Sequence, residues 1–534
     1  MQLRSPPEAN APVSRVASQR RAAPSQSLYF LRVSTAQNTD RSLALALAVA
    51  CFLGFALFHR GLLASTDEVG VFETTRAIFE RASLDVPEGL HTFPGRDGRI
   101  YSHFAIGQSL LALPLYALGR LADATLSSPV RQALAGPRVA QGAIVYGGSV
   151  EIFAVGLYAP LSAAALVALF FLFQRRLGAS PRAATAAALL LAGTTYVAAM
   201  SSYFLQHTTE SLAIVASLFF LFRFRSDGAL RDLALGSFCA AATVLIRVPA
   251  AVAGPALAAY ALFAIRERAR RGAPRAPMLA ALATPAALLA ALHVGVNHAK
   301  WGTWVASPFL SQTDVLGSPL SIGLVGLLVS PGAGLFAYSP LTLLAPWLGA
   351  DFFRRHRAEC VAALAIALSF WVLGGSFPAW TGLWSAPGPR YLFAATPLVL
   401  LPLGPWLDAH PGRGARGAVL ALAALGAVAQ AALLTADWSA VIAREHYVAW
   451  QPPKGFVWSF TASPIPASLR AIADGWLGPW IWTIAKGWPG RPGTPGAALV
   501  LLAFWAAAFG AAGARVRRAL VLSTARSERP GSPT

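Results

Sequence analysis

Long apolar runs recur along most of the chain and limit its possible folds more strongly than any short motif. A transmembrane helix needs about 20 predominantly apolar residues, because the hydrocarbon core of a bilayer is about 30 Å thick. Runs of this kind occupy residues 43–63, 152–173, 183–201, 209–223, 233–248, 249–265, 278–296, 334–352, 359–377, 391–407, 417–435 and 497–514. The sequence therefore predicts an all-α polytopic membrane protein of about 12 transmembrane helices, with interfacial helices in the outer loops.

The distribution of charge agrees with a membrane protein and predicts its orientation. Charged residues make up 12% of the chain, whereas soluble domains carry about 25%. The net charge of +20 is not concentrated on one face or helix, so no nucleic-acid partner is expected. When the runs are threaded alternately, the basic groups fall on one side, in segments 175–182, 223–231, 266–275, 354–357 and 413–416. Basic loops remain in the cytoplasm, so both termini are predicted to be cytoplasmic.

The apolar runs divide the chain into three parts. Residues 1–42 form a tail rich in Pro, Ser and Ala that is predicted to be cytoplasmic and disordered. Residues 43–514 form the transmembrane unit, and residues 515–534 form a second cytoplasmic tail. Three long loops are predicted on the outer side: 64–151, 297–333 and 436–496. None alternates apolar and polar residues as a half-buried strand does, so helices and irregular loops are expected there.

Two adjacent carboxylates, Asp67 and Glu68, follow the first apolar run at the start of a predicted surface helix, 65–81. The spacing Ser65-x-x-Glu68 is that of a capping box, in which both side chains satisfy free backbone N–H groups. Asp67 in the first helical turn would also favour the helix dipole. The functional alternative is that a carboxylate facing the outer side accepts a proton from a hydroxyl group.

Other polar residues of the predicted outer side suit a phosphate or a sugar. Arg99, Tyr101 and His103, in the stretch GRIYSH, can bind phosphate or sugar hydroxyls, although a solvated loop is the alternative. His207 and Glu210 border the fourth apolar run. They are costly there unless they face an aqueous cavity or begin the helix.

A second group of candidates lies further along the chain. Arg390 and Tyr391 follow Trp384 in an outer loop, and no acidic residue adjoins Arg390 in sequence. Arginine forms bidentate contacts with phosphate, and tryptophan faces stack on sugar rings. Lys300 lies among aromatic residues outside the seventh run and could also bind phosphate. The alternative for all four is that they anchor the protein at the membrane interface.

The sequence requires no cofactor. His91 and His103 are too loosely spaced for a zinc site, and the three cysteines build neither a disulfide framework nor a metal motif. A need for a divalent cation is left open.

The candidate motifs together resemble the membrane glycosyltransferases of the GT-C superfamily, in particular bacterial relatives of the protein mannosyltransferase and aminoarabinose transferase group. The likeness covers roughly residues 43–435. The residues that carry it are Asp67-Glu68, GRIYSH at 98–103 leading to Pro114-Leu-Tyr116, SPGAGLFAYSP at 330–340 and GPRY at 388–391. The chain departs from such relatives at Glu210, where Asp is common, and in residues 436–496, which match no motif.

This resemblance implies a function for the outer side. The chain would transfer a sugar from a polyprenyl-phosphate-linked donor to a glycan, lipid or protein acceptor, at the outer face of a bacterial inner membrane. Asp67 would act as general base, and Arg390 would hold the carrier phosphate with help from Lys300 or Arg99. The main alternative is a transporter or flippase of a lipid-linked or anionic substrate, with the carboxylates as a proton relay. A non-catalytic assembly partner is a third.

Overall fold

Helices make up almost all of the described protein. The computed structural model describes residues 26–89, 91–136, 140–141, 144–145, 147–304, 319–383, 385–445, 457–488 and 491–527. The helices of the first half are α1 (Gln26–Leu57), α2 (Thr66–Arg81), α3 (Gly107–Thr125), α4 (Ser128–Ala135), α5 (Val150–Gly156), α6 (Tyr158–Arg176), α7 (Pro181–Thr194), α8 (Val197–Met200), α9 (His207–Asp227), α10 (Leu230–Ile246), α11 (Gly254–Arg270) and α12 (Arg275–Trp301).

The second half continues the helical pattern with shorter, more interrupted elements. Its helices are α13 (Leu320–Val329), α14 (Leu335–Tyr338), α15 (Ala345–Arg355), α16 (Arg357–Ser376), α17 (Ala395–Val399), α18 (Leu403–Ala409), α19 (Arg413–Thr435), α20 (Trp438–Glu445), α21 (Pro464–Ala473), α22 (Trp480–Lys486) and α23 (Pro495–Ser527). Turns of 3₁₀ helix occupy Val248–Ala253, Pro340–Leu344 and Arg390–Leu392.

Seven helical stretches of the described chain are long and apolar enough to cross a membrane. They are Asn38–Leu57, Val150–Arg176, Val248–Arg270, Arg275–Trp301, Arg357–Ser376, Arg413–Thr435 and Pro495–Leu522. Each overlaps one of the predicted runs, so the prediction of a polytopic helical membrane protein is confirmed. The remaining five runs are also helical but shorter, more charged or interrupted, and the number twelve stays a prediction.

Three of those five runs, 183–201, 334–352 and 391–407, are helices broken by irregular backbone. Their unpaired backbone groups find partners inside the protein, as a low-dielectric interior requires. The amide of Gln430 on α19 accepts from the N–H of Ala199 at 3.2 Å and donates to the carbonyl of Tyr338 at 2.7 Å. Ser339 accepts from the N–H of Tyr196 at 3.0 Å. One side chain of α19 therefore joins two broken helices.

The first and last helices extend beyond the apolar runs. Helix α1 begins at Gln26, before the run 43–63, and α23 continues to Ser527, beyond the run 497–514. The division into two tails and a transmembrane unit stays a prediction. The apolar runs indicate only the part of each helix that lies in the lipid. A helix itself continues until a helix-breaking residue ends it, and no Pro or Gly lies between Gln26 and Ala50. Residues 1–25 and 528–534 lie outside the described chain.

Loops predicted to share the inner side lie at one end of the protein. Arg225, after the fourth run, donates to Glu359, before the ninth, at 2.6 Å. Ser180 donates from its hydroxyl to Asp408, after the tenth run, at 2.7 Å. The alternating arrangement predicted from the arginines therefore agrees with the contacts that the fold makes.

The opposite end holds α2 on a small apolar core of its own. Helix α2 packs on α3, and α3 packs on α5. The buried side chains between them are Leu63, Val71, Phe72, Ala112, Tyr116, Ile152, Val155, Tyr158 and Phe204. This core fixes α2 against the ends of the long helices, so its first turn has a defined position.

Three short antiparallel hairpins lie in the predicted outer loops, where only helices and irregular loops were expected. They pair β1 (Thr92–Pro94) with β2 (Ile100–Ser102), β3 (Ala140–Gln141) with β4 (Ile144–Val145), and β5 (Gly487–Trp488) with β6 (Arg491–Pro492). Strands of two or three residues are too short to show the alternation by which a strand is recognised in sequence.

The close packing of α19 on α7 is testable at Gly426. A Cβ atom on Gly426 would lie 2.1 Å from the carbonyl oxygen of Thr194, whereas one on Gly417 of the same helix would meet no described atom within 4 Å. Gly426→Ala should lower the free energy of unfolding by about 1–3 kcal/mol, because the helices must separate. Gly417→Ala should be neutral or stabilising by up to about 1 kcal/mol. Thermal unfolding in one detergent compares them. Equal stabilities would contradict this packing.

Candidate active site

The connection from α1 to α2 is fixed by a buried arginine. Arg60 donates to the carbonyls of Leu433 at 3.2 Å and Ala436 at 3.3 Å, and its guanidinium lies 4.6 Å from the ring centre of Tyr203. These carbonyls belong to the C-terminal end of α19, which attracts cations. The residues just before α2 are therefore anchored to a helix nearly 400 residues away in sequence, at separations of 373 and 376 residues.

Helix α2 begins with the predicted capping box. The Ser65 hydroxyl accepts from the N–H of Glu68 at 3.4 Å, and the Glu68 carboxyl accepts from the N–H of Ser65 at 3.0 Å and from that of Ala64. Glu68 is buried, and this burial raises its pKa to about 8 in spite of the backbone donors. The predicted capping box at Ser65 and Glu68 is therefore present.

Asp67 meets three side chains from elsewhere in the chain. Its Oδ2 accepts from Nη1 of Arg390 at 2.8 Å and from the Ser385 hydroxyl at 3.0 Å. Its Oδ1 lies 3.6 Å from Nε2 of His91. The side chains of Asp67 and Arg390 are only 14% and 5% exposed. A carboxylate and an arginine that the sequence presents as separate features therefore form one buried ion pair.

The environment of Asp67 keeps its carboxyl ionised. Burial acts to raise the pKa of Asp67, because it removes water from the charged form. The charge of Arg390, followed by that of His91 and by the hydrogen bond from Arg390, acts in the other direction. The balance leaves the pKa of Asp67 below its ordinary value. The neighbouring carboxyls thus differ: Asp67 is held as an anion, and Glu68 is held largely neutral at pH 7.

Arg390 is positioned by the motif residues around it. Its Nη2 donates to the Tyr391 hydroxyl at 3.2 Å. Gly388, with φ +93°, packs so closely that a Cβ atom would lie 2.7 Å from the ring of Tyr338 and 2.9 Å from that of Tyr196. Tyr338 in turn donates to the carbonyl of Gly332 at 2.7 Å. The stretches GPRY and SPGAGLFAYSP, far apart in sequence, therefore form one packed unit that fixes Arg390.

His91 has an unusual backbone conformation beside Asp67. Its φ is +64°, in the left-handed region that residues other than glycine seldom occupy. The His91 carbonyl accepts from the backbone N–H of His103 at 3.2 Å and lies 2.9 Å from the His103 ring nitrogen Nδ1. His103, which was predicted as a binding residue, therefore stabilises the turn that places His91 beside Asp67. The sequence drew attention to His91 only as a possible zinc ligand.

Lys300 points inward instead of anchoring the membrane interface. Its ammonium donates to the carbonyl of Ser102 at 2.5 Å and to that of Phe104 at 3.4 Å, and the residue is 3% exposed. The contacts tie the end of α12 to the segment after β2. Lys300 therefore stabilises the backbone of residues 102–104, which carries His103.

Arg99 and Tyr101, at the β1–β2 hairpin, both contact Asp97. Arg99 is 64% exposed and pairs loosely with Asp85 and Asp97. The Tyr101 hydroxyl donates to Asp97 at 2.8 Å, and its ring packs edge-on against Trp301. Both side chains have partners that account for them structurally.

A second buried ion pair lies behind Tyr391. Glu210 accepts from Nη1 of Arg247 at 3.1 Å, and the Arg247 guanidinium lies 5.8 Å from the centre of the Tyr391 ring. His207 is buried 6.4 Å from the same ring, and neither ring nitrogen has a hydrogen-bond partner among the described residues. Glu210 and His207 thus lie beside Tyr391, as a shared site requires.

Sequence reasoning missed Arg247 and Ser385, and the structure leaves one candidate undescribed. Arg247 lies inside a predicted span, where an ionisable residue is itself a sign of function. Ser385 offers no signal beyond its place in the loop before Arg390. Trp384 lies outside the described residues. Among the residues that the structure describes, no three His, Cys, Asp or Glu side chains could hold a metal ion together.

A cavity of about 400 Å³ borders the first turns of α2 on a side that Asp67 does not line. Thr66, next to Asp67, and Gly89 and Thr92, on either side of the His91 turn, form part of its wall. Its charged lining consists of Glu73, Glu80, Glu88, Glu151, Arg76 and Arg120. Ion pairs of 3.2 Å join Arg76 to Glu80 and Arg120 to Glu151. The cavity is polar, and its carboxylates outnumber its arginines.

Residues 143–305 match a family model described as dolichyl-phosphate-mannose-protein mannosyltransferase. The matched segment contains His207, Glu210, Arg247 and Lys300. Over these residues the chain is therefore similar to mannosyltransferases. The matched segment is under a third of the chain, so the match does not assign the sugar.

Several solved glycosyltransferase structures are similar to this chain over much of its length. ArnT from Cupriavidus metallidurans, bound to undecaprenyl phosphate, is 15% identical with a TM-score of 0.47, over 94% of this chain and 76% of that one. The archaeal oligosaccharyltransferase AglB from Archaeoglobus fulgidus, in complex with an inhibitory peptide and a dolichol-phosphate, is 14% identical with a TM-score of 0.40, over 80% and 57%. The arabinosyltransferase EmbB from Mycobacterium smegmatis is 15% identical with a TM-score of 0.40, over 89% and 43%. With scores below 0.5, these likenesses carry no residue-level correspondence. No curated protein sequence matches the chain.

The neutral state of Glu68 predicts how stability changes with pH. A carboxyl whose pKa is higher in the folded protein stabilises it at low pH, and that contribution is lost as the pH rises from 4.5 towards about 8. Glu68→Gln mimics the neutral acid and keeps the capping box. The unfolding temperature of the wild-type protein should therefore fall relative to that of the variant as the pH increases over this range. A difference that does not change with pH would contradict a neutral Glu68.

Proposed function

We propose that this glycosyltransferase transfers a sugar from a polyprenyl-phosphate-linked donor to an acceptor hydroxyl, with Asp67 as general base. The observation that supports the proposal most directly is the buried Asp67–Arg390 pair at the start of α2. It joins an ionised carboxylate, which can accept a proton, to a cation suited to phosphate. Sugar transfer from a phosphate carrier needs both groups, because a proton leaves the acceptor as negative charge develops on the leaving phosphate.

The two oxygens of Asp67 differ in their availability. Oδ2 accepts from Arg390 and Ser385, which fix the orientation of the carboxylate. Oδ1 has only the longer contact of 3.6 Å with His91. We therefore assign the proton transfer from the acceptor to Oδ1. A phosphate leaving group needs little protonation, so a single base and nearby cations suffice.

An excess of buried positive charge at this end of the protein supports a phosphate-bearing donor. Four buried or nearly buried cations lie there: Arg60, Arg247, Lys300 and Arg390. Asp67 and Glu210 are the buried carboxylates that pair with two of them, and Glu68 is largely neutral at pH 7. Burying unbalanced charge is costly. The phosphate of a lipid carrier would reduce that cost, with Arg390 and Arg247, which lie 5.1 and 5.8 Å from the centre of the Tyr391 ring, as its ligands.

The acidic cavity beside α2 suits the acceptor. Four glutamates against two arginines disfavour a phosphorylated acceptor and favour a neutral or cationic hydroxyl compound. A glycan, a lipid headgroup or a protein side chain can satisfy this requirement. Thr66, which lines the cavity, is next to Asp67 in sequence, so an acceptor held in the cavity would lie close to the first turn of α2.

The orientation in the membrane is part of the proposal. The basic segments predicted to be cytoplasmic meet at one end of the protein, as the Arg225–Glu359 contact illustrates. Asp67, Arg390 and the acidic cavity lie among segments predicted to be on the other side. We therefore place the reaction at the outer face of a bacterial inner membrane, with both termini in the cytoplasm.

The role of Asp67 predicts a large and specific loss of activity. Asp67→Asn keeps the shape of the side chain but removes the proton acceptor. The release of polyprenyl phosphate from a panel of polyprenyl-phosphate sugars, including the mannose derivative, should fall about 10²–10⁴-fold. Binding of undecaprenyl phosphate and the unfolding temperature are measured in the same preparation, since the substitution also leaves buried Arg390 without its anion. Wild-type turnover in Asp67→Asn would remove the proposed base.

The matched control is Asp85→Asn. Asp85 follows the C-terminal end of the same helix, and its Oδ2 lies 3.4 Å from Nη2 of Arg81 in an ion pair at the surface. Exposed pairs contribute about 0–1 kcal/mol. Asp85→Asn should therefore change neither turnover nor stability appreciably. A comparable loss in both variants would indicate that α2 is merely sensitive to substitution.

The two hydrogen bonds of the Arg390 guanidinium group predict that lysine cannot replace it. A lysine keeps the charge but cannot contact Asp67 and Tyr391 at 2.8 Å and 3.2 Å together. Arg390→Lys should weaken undecaprenyl phosphate binding and lower turnover about 10²-fold, the usual loss for a group that stabilises developing charge. Arg81→Lys is the control and should retain both. Unchanged binding and turnover in Arg390→Lys would leave Arg390 with a structural role only.

A further inference from the structure

The turn that carries His91 is held in a strained conformation beside Asp67. Only Ala82 and His91, among the described residues other than glycine, have positive φ, and Ala82 simply ends α2. At His91 two contacts from His103 to its carbonyl maintain the conformation. The ring therefore faces Oδ1 of Asp67 instead of turning to solvent. Strain of this kind persists where the surrounding structure fixes it, and it is concentrated at functional sites.

The protonated form of Asp67 is unfavourable, so a proton that Asp67 accepts leaves it readily. Arg390 stabilises its ionised form, and protonation would leave that buried guanidinium without an anion. A second group beside such a base can take up the proton and carry it to water. His91 is placed for this role, because its Nε2 faces the oxygen that Arg390 and Ser385 leave available. Contacts of this length commonly shorten when substrate binds.

We propose that His91 is a second proton carrier, which takes the acceptor's proton from Asp67 and releases it to water. The inference rests on the proposed role of Asp67 as base. As the acceptor oxygen bonds to the anomeric carbon, the bond from that carbon to the carrier phosphate breaks, and its electron pair leaves with the phosphate. The hydroxyl proton passes to Oδ1 of Asp67 and then to Nε2 of His91. The resulting imidazolium loses the proton to water, since the His91 side chain is 17% exposed.

Charged and titratable groups face His91 from two elements. Asp67 faces it from α2, with Oδ1 at 3.6 Å from Nε2. His103 faces it from the segment after β2, and burial lowers the pKa of His103 to about 4, so that neighbour stays neutral. Phe104 completes the contact from the same segment. Arg390 lies beyond Asp67, and Lys300 behind His103 is turned to backbone carbonyls.

Two substitutions test the proposal without forcing the backbone. Asparagine and glycine both tolerate positive φ, so His91→Asn and His91→Gly should preserve the turn while removing the proton carrier. Turnover with polyprenyl-phosphate mannose, or with whichever sugar of the donor panel is used, should fall about 10²-fold in both. Undecaprenyl phosphate binding should be unchanged. Added imidazole should partly restore His91→Gly, because the glycine leaves room for it.

The pH profile separates proton transfer from a structural role. Wild-type turnover should fall in acid, where the imidazole already carries a proton and accepts no other. His91→Asn should lack this acid limb. His298→Gln is the matched control, since His298 lies on the same side at the end of α12, stacked on Trp304, and should retain wild-type turnover and its acid limb.

The outcomes distinguish this inference from the proposed function. An inactive Asp67→Asn with a fully active His91→Asn would overturn the role of His91 and leave Asp67 as base. An active Asp67→Asn would overturn both. Loss of turnover in the His91 variants without imidazole rescue, and with the acid limb unchanged, would make His91 a structural residue and overturn the inference.

Discussion

The buried ion pair between Asp67 and Arg390 is the interaction on which the outer end of the protein depends. Its members are 323 residues apart in sequence, and both are nearly excluded from water. Removing one partner from a buried pair costs about 3–5 kcal/mol, because the other charge is left uncompensated. The pair can therefore form only if other contacts already hold α2 and the loop before α17 in position. Arg60 and the Ser65–Glu68 capping box place the first, and the packing of Gly388 on Tyr338 places the second.

The same pair gives helix α2 two chemically different sides. Towards Arg390 it presents an ionised carboxylate among buried cations, which suits a sugar donor with a phosphate leaving group. Towards the cavity it presents Glu73 and Glu80, which suit a neutral or cationic acceptor. In the proposed reaction the two substrates carry different charges, and the two sides of α2 match that difference.

Broken helices make this arrangement possible inside a mostly apolar protein. Regular helices pair all their own backbone groups and expose few polar atoms, whereas interruptions leave N–H and C=O groups that must be satisfied within the protein. Gln430 supplies partners to two such interruptions. The residues around them, from Tyr196 to Glu210 and from Ser339 to Arg390, form the polar interior beside Asp67. Apolar composition alone would give no such interior.

The sequence by itself determined the class of fold, the capping box at Ser65 and the segregation of charge, because these follow from local spacing and from the energetics of lipid. It also identified Asp67 and Arg390, but as unrelated features. The tertiary structure decided that they are partners, that Lys300 holds the backbone on either side of His103, and that Arg99 and Tyr101 both contact Asp97. It also placed His91, whose positive φ has no local signature, beside Asp67. Contacts across hundreds of residues depend on how helices pack, and neither hydropathy nor spacing encodes that packing.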